Sequence, residues 1–186
     1  MKLKVYHYED STTVLGKGNR FALWVQGCKK ECLNCLVPDS WDLNSGELMA
    51  VKELAKKVKN VDGITISGGE PFLQPLALSS FLDALDGNLN VIIYSGYSYA
   101  EIVKNSSMKE LLKRVDILID GEYIDELNYD EPLVGSFNQN IYIISDKGQE
   151  LAEYILSLKS REVEFKIKNG ELFSVGVLPR KLEGLV

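Results

Sequence analysis

Histidine is almost missing from this chain: His7 stands alone among 186 residues. A serine–histidine–carboxylate relay would have to use it, and nothing around it points there, so His7 reads as an exposed surface histidine. Cysteine is scarce too. The three cysteines, an odd number, all lie between positions 28 and 35. A disulfide framework is therefore excluded, and metal or redox chemistry in a reducing compartment is indicated. No apolar run approaches the roughly 18 residues of a membrane span. The opening MKLKVYHYED turns acidic at Glu9 and Asp10, unlike a secretory leader, and the expected compartment is the cytoplasm. Positive charge is also short. Lys and Arg number 21 against 27 Asp and Glu, a net charge of −6, which argues against general nucleic-acid binding. Repeats, linkers and low-complexity stretches are absent.

What is present suits one domain with a sizeable core: 45% apolar and 26% charged residues, near the globular average. Leu3 to Tyr8 reads as an edge strand. Strands are expected at Arg20–Gln26, Gly63–Ser67, Leu89–Tyr94, Val115–Ile119 and Ile141–Ile144. Helical spacing marks Glu47–Lys59, Gln74–Leu85, Ser98–Arg114, with a weak middle at Asn105, Ser106 and Ser107, and Lys147–Leu158. Glu122 to Asn138 is a long irregular segment. Two tail strands, Glu162–Ile167 and Glu171–Val177, flank Asn169-Gly170, a strong hairpin signal. Alternating strands and helices imply a parallel sheet whose chemistry sits at the strands' carboxyl ends. A closed eightfold barrel needs about 250 residues, so an open, partial (β/α) barrel or twisted sheet fits better.

Cys28, Cys32 and Cys35 form CKKECLNC, a C-x3-C-x2-C spacing. Thiolates suit iron–sulfur clusters, zinc or copper(I). With three thiolates, a four-iron cluster keeps one iron open to an outside ligand. A structural zinc loop stays open on spacing alone, although zinc wants four ligands. After the next strand comes Ser67-Gly68-Gly69-Glu70-Pro71. Its glycines admit close backbone approach to a ligand, and its carboxylate suits an ammonium group. By itself it is equally a strand-to-helix turn with an early proline. Gly16-Lys17-Gly18 precedes a strand, not a helix, so it is no dinucleotide fingerprint.

Together CKKECLNC and ISGGEP resemble the radical S-adenosylmethionine superfamily. Within it, GKGNRFALWVQGC (16–28), YSGY (94–97), VDILIDGEY (115–123) and GSFNQNIY (135–142) resemble the glycyl-radical-enzyme activases that serve anaerobic ribonucleotide reductase. The resemblance runs from Val14 to Asp146. It implies a single radical SAM domain over 1–186, with an open partial barrel core at about 14–146 and a C-terminal helix and β-hairpin at 147–186. It implies that Cys28, Cys32 and Cys35 hold a [4Fe–4S] cluster whose open iron binds the amino and carboxylate groups of S-adenosylmethionine. It places Ser67, Gly68, Gly69, Glu70, Pro71, Ser95 and Gly96 around that cofactor. Reductive cleavage would yield a 5′-deoxyadenosyl radical that takes a hydrogen atom from a glycine of the partner. The implied electron donor is a flavodoxin or ferredoxin.

Two departures from the subgroup are Asn140, where an arginine is usual, and the hairpin-like tail. Asn34 stands where many superfamily members carry an aromatic. Asp120, ending the fourth parallel strand, is either a ligand for a ribose hydroxyl or cation, or a helix cap or turn aspartate. Trp24 and Trp41 read as packing residues, and Lys29 and Lys30 as solvated loop charges. Three cysteines in total leave no room for an auxiliary cluster. Two other functions stay open: a small radical enzyme acting on a small molecule or peptide, and a non-catalytic zinc module.

Overall fold

The computed structural model describes residues 1–85, 87–168 and 170–182. Seven strands form one mixed sheet: β1 (Lys2–Thr12), β2 (Arg20–Val25), β3 (Glu47–Ala50), β4 (Gly63–Gly68), β5 (Asn90–Ser95), β6 (Ile117–Asp120) and β7 (Asn140–Ile143). Their order is β3-β1-β2-β4-β5-β6-β7. The four central strands β2, β4, β5 and β6 run parallel, and β1, β3 and β7 are antiparallel to their neighbours. The sheet has two edges, β3 and β7, and does not close. The fold is thus mixed α/β, with an open sheet as expected. Among the described residues, no helix is long and apolar enough to cross a membrane.

The parallel strands read as continuous apolar runs because both their faces are covered. On β2, Phe21, Leu23 and Val25 point one way and Ala22 and Trp24 the other, following the two-residue period of a strand. The first face packs against α1 (Val51–Ala55), α2 (Pro75–Asp83), α3 (Tyr99–Lys104) and α4 (Ser106–Leu112), burying Leu54, Leu78, Phe81, Ile102 and Leu111. The second face, carrying Ile92, Ile117 and Ile119, is covered by Leu133 and Val134 and by α5 (Asp146–Ser157) through Leu151, Ala152 and Ile155. The tail hairpin, β8 (Glu164–Lys168) and β9 (Glu171–Val175), reaches the same face, where buried Val175 packs against Leu15 and Ala22. Asn169 of its turn and residues 183–186 lie outside the described residues.

Three expectations need correction. Glu47–Lys59 is not one helix. Its first four residues form β3 on the far side of β1, so β1 is not an edge. The apparent helical spacing was misleading because Leu48 faces solvent. Ser98–Arg114 breaks at Asn105, whose extended backbone (φ −99°, ψ 122°) and side chain cap α4 by accepting from Ser107 N (3.1 Å) and Met108 N (3.2 Å). His7 is half-buried rather than exposed. It bonds Glu9 at 2.7 Å and meets Trp24 and Phe173, with ring centroids 5.6 and 5.5 Å away.

The segment 122–138 contains a single 3-10 turn, Asp125–Leu127, yet it is firmly held. Arg161, with 1% of its side chain exposed, donates to the carbonyls of Glu131, Val134, Gly135 and Leu178 and to Asp130 Oδ1. One guanidinium thereby ties this segment to the tail. Arg161→Ala leaves buried carbonyls without donors, and the expected loss is about 3 kcal/mol of unfolding free energy. Urea denaturation followed by tryptophan fluorescence measures it. A midpoint within experimental scatter of wild type would refute the tie.

Candidate cofactor-binding cleft

The register of the parallel strands assembles the site. Val25 lies opposite Gly68 and Trp24 opposite Ser67, so the loop after β2 and the turn after β4 leave the sheet side by side. Gly69 N donates to Val25 O (2.7 Å) and Glu70 N to Gly27 O (2.8 Å). From β5, Ser95 Oγ donates to Glu70 Oε1 (2.9 Å) and Gly96 N to Glu70 Oε2 (2.7 Å). Phe72 N completes the set on Oε1 at 2.9 Å. Glu70 thus pins three strand ends together while buried. Burial raises its carboxyl to about 7, against the lowering pull of the Phe72 and Gly96 N–H groups, the Ser95 hydroxyl and Lys30.

The cysteine loop is braced from behind. Gly27, at φ +101°, turns the chain out of β2. Gly27 N donates to Ser40 O and Cys28 N to Trp41 O. Buried Gln26 donates through Nε2 to Asp39 O (3.0 Å) and Asp42 O (2.9 Å). Glu31 (φ 47°) and Asn34 (φ 56°) take left-handed backbone conformations, which cost energy in residues with a Cβ. These bends bring Cys28, Cys32 and Cys35, all half-buried and free, onto one wall. Burial pushes the Cys28 and Cys32 thiols up, opposed at Cys28 by the N–H groups of Lys30 and Glu31 and at Cys32 by that of Tyr123.

The wall belongs to a cleft of about 990 Å³, partly open to solvent. Ser67, Gly68, Gly69, Glu70, Ser95 and Gly96 line it with the three cysteines. Pro71 and Asp120 stand outside that lining. Pro71 is buried at the start of a 3-10 turn. Asp120 is buried too, accepting from Tyr99 N at the start of α3 and from Asn140 Nδ2 (3.0 Å). The donor chemistry suits a cluster. Three soft thiols share the wall, yet among the described residues no three His, Cys, Asp or Glu side chains gather around a single metal ion. A zinc ion needs ligands within about 2.3 Å of one centre, whereas cluster cysteines each hold a separate iron.

Several lining residues escaped the sequence reading. Trp24 packs as expected, against the Leu15, Ala22 and Val175 cluster, and with Trp41 it also borders the cleft. Tyr94 gives its hydroxyl to Leu133 O (2.7 Å). Lys30 is folded inward, not solvated. Gly176 and Val177 come from the tail. Gln139 joins the DGEY and GSFNQ stretches. Its Oε1 accepts from Gly135 N (2.7 Å) and Ser136 N (3.2 Å), and its Nε2 donates to Gly121 O (2.8 Å). A lone glutamine in a loop gives no sequence signal for such a clasp.

Comparison with known proteins agrees with this geometry. A family model described as a 4Fe-4S single cluster domain matches residues 14–142. The anaerobic ribonucleoside-triphosphate reductase-activating protein of Enterobacteria phage T4 is 31% identical over 143 residues, covering 72% of this chain and 89% of that protein. The protein of the same description from Salmonella typhi is 30% identical over 156 residues, covering 75% and 98%. The pyruvate formate-lyase-activating enzyme of Clostridium pasteurianum is 31% identical over 137 residues, covering 68% and 55%.

Proposed function

This chain belongs to the 4Fe-4S single cluster domain family, together with the activating proteins of anaerobic ribonucleoside-triphosphate reductase, and from that premise we propose that it is a radical S-adenosylmethionine activase. Its product is a glycyl radical on a partner enzyme, anaerobic ribonucleotide reductase. Its core is the partial barrel at about 14–146, with 147–186 appended. It works in the cytoplasm, and a flavodoxin or ferredoxin supplies the electron.

The observation that carries this reading is the meeting of Cys28, Cys32 and Cys35 with Gly68, Gly69, Glu70, Ser95 and Gly96 around one cleft at the strands' carboxyl ends. The cysteines would hold the cluster. The glycine turn would receive the amino-acid end of S-adenosylmethionine, with Glu70 steadying its backbone. Bound there, the cluster and S-adenosylmethionine would supply the one-electron chemistry needed to remove a hydrogen atom from the partner's glycine. The protein's share is orientation and exclusion of water. Trp24, Trp41 and Val177 give the cleft apolar walls, and the segment 122–138 lines it through Tyr123 and Gly135. On the same segment Tyr129 and Phe137 are more than three-fifths exposed and lie 6.2 Å apart, a surface suited to an approaching protein.

The deciding experiment is electron paramagnetic resonance on the anaerobically reconstituted protein, given a reductant, S-adenosylmethionine and the host's anaerobic ribonucleotide reductase. A glycyl doublet is expected with the complete mixture. It should fade when Asp125–Pro132 is shortened. If no host glycyl-radical enzyme, pyruvate formate-lyase included, gives a doublet while a small molecule or peptide consumes S-adenosylmethionine stoichiometrically, the activase reading fails.

A further inference from the structure

Among the described residues lining the cleft, Lys30 is the one cation and Glu70 the one carboxylate. The stem of Lys30 packs against the end of β5: a Cβ built on Gly96 would stand 3.0 Å from Lys30 Cγ. Lys30 is held there deliberately. Its N–H points at Cys28 Sγ (3.4 Å), and its ammonium lies 4.6 Å over the Tyr97 ring and 2.7 Å from Glu122 Oε1. Its side chain is 17% exposed, whereas that of Glu122 is 53% exposed. The inner partner is thus fixed by the cysteine loop and the aromatic ring. The outer partner sits at the rim, where an ion pair is weak and exchangeable.

With both oxygens of Glu70 taken by Phe72, Ser95 and Gly96, the Lys30 ammonium is the charged group of the lining left to meet a ligand carboxylate. We propose that Lys30 is the receptor for the carboxylate of the S-adenosylmethionine amino-acid end, which takes the place of Glu122 on its ammonium. This rests on the function proposed above and adds a binding residue to it.

The test compares binding of S-adenosylmethionine and its decarboxylated analogue to the anaerobically reconstituted protein, by equilibrium dialysis, with iron and sulfide content as control. Lys30→Met should leave iron loading unchanged and weaken S-adenosylmethionine binding about tenfold or more, the loss of one hydrogen bond between charged groups. Binding of the analogue, which lacks the carboxylate, should barely change. Lys30→Arg should restore most of the affinity. Glu122→Gln should tighten S-adenosylmethionine binding, because the competing carboxylate is gone. Equal weakening of both ligands by Lys30→Met, or parallel weakening by Glu122→Gln, would make the pair a mere loop brace and overturn the proposal. Unchanged binding in Lys30→Met would overturn it as well. A wild-type protein that loads iron and sulfide poorly, or binds no S-adenosylmethionine, would sink the function itself before any variant is measured.

Discussion

Cys28→Ala, Cys32→Ala and Cys35→Ala are each expected to abolish reductive cleavage of S-adenosylmethionine, with 5′-deoxyadenosine falling to the background of the unreconstituted protein. The chain contains no fourth cysteine to substitute, and soft iron sites take thiolate in preference to the hard carboxylates nearby. His7 offers no replacement, being engaged with Glu9 on β1. The thiols are only half-buried, and the loop is held by Gln26 and by the Gly27 and Cys28 amides. The three variants should therefore fold. Loss of cleavage would then report the missing iron ligand rather than a collapsed protein. Iron and sulfide analysis, the spectrum of the reduced cluster and chromatographic assay of 5′-deoxyadenosine provide the readouts. A single variant with a full cluster and wild-type product formation would break the assignment of these cysteines. Zinc at one equivalent, without sulfide, would favour the zinc module.

How much of this was legible in the sequence depends on the range of the interaction involved. The central strands declared themselves because burial on both faces leaves unbroken runs such as Gly63–Ser67 and Val115–Ile119. The cysteines and the glycine turn declared themselves because their chemistry is carried by neighbours in sequence. β3 did not, since its identity comes from pairing with β1, not from its own alternation. Arg161 and Gln139 gave no signal because each gathers backbone carbonyls or amides brought together only by the fold. Lys30 was misread for a related reason. Its charge looked solvated until the sheet placed Tyr97 and Glu122 around it.

Gly69→Val is expected to remove S-adenosylmethionine binding and to lower iron loading with it. The sequence alone separates these two effects, because the glycine turn and the cysteine loop lie some forty residues apart. The fold joins them. A Cβ on Gly69 would stand 2.4 Å from Gly27 O, 2.8 Å from Gly27 C and 2.9 Å from Ser40 O. All three are backbone atoms, so no rotamer change relieves the clash, and forcing it costs about 1–3 kcal/mol or more. Either the turn moves, breaking Gly69 N to Val25 O and Glu70 N to Gly27 O, or the loop moves, carrying Cys28 with it. Gly87→Val makes the control, since a Cβ there meets nothing within 4 Å. Calorimetric titration with S-adenosylmethionine and iron analysis should show both quantities reduced in Gly69→Val and both preserved in Gly87→Val. Normal iron with lost binding would mean that the turn yields and the cysteine loop does not. Normal values for both would show that the turn and the loop are not in contact in the working protein, and the cleft described above would lose its floor.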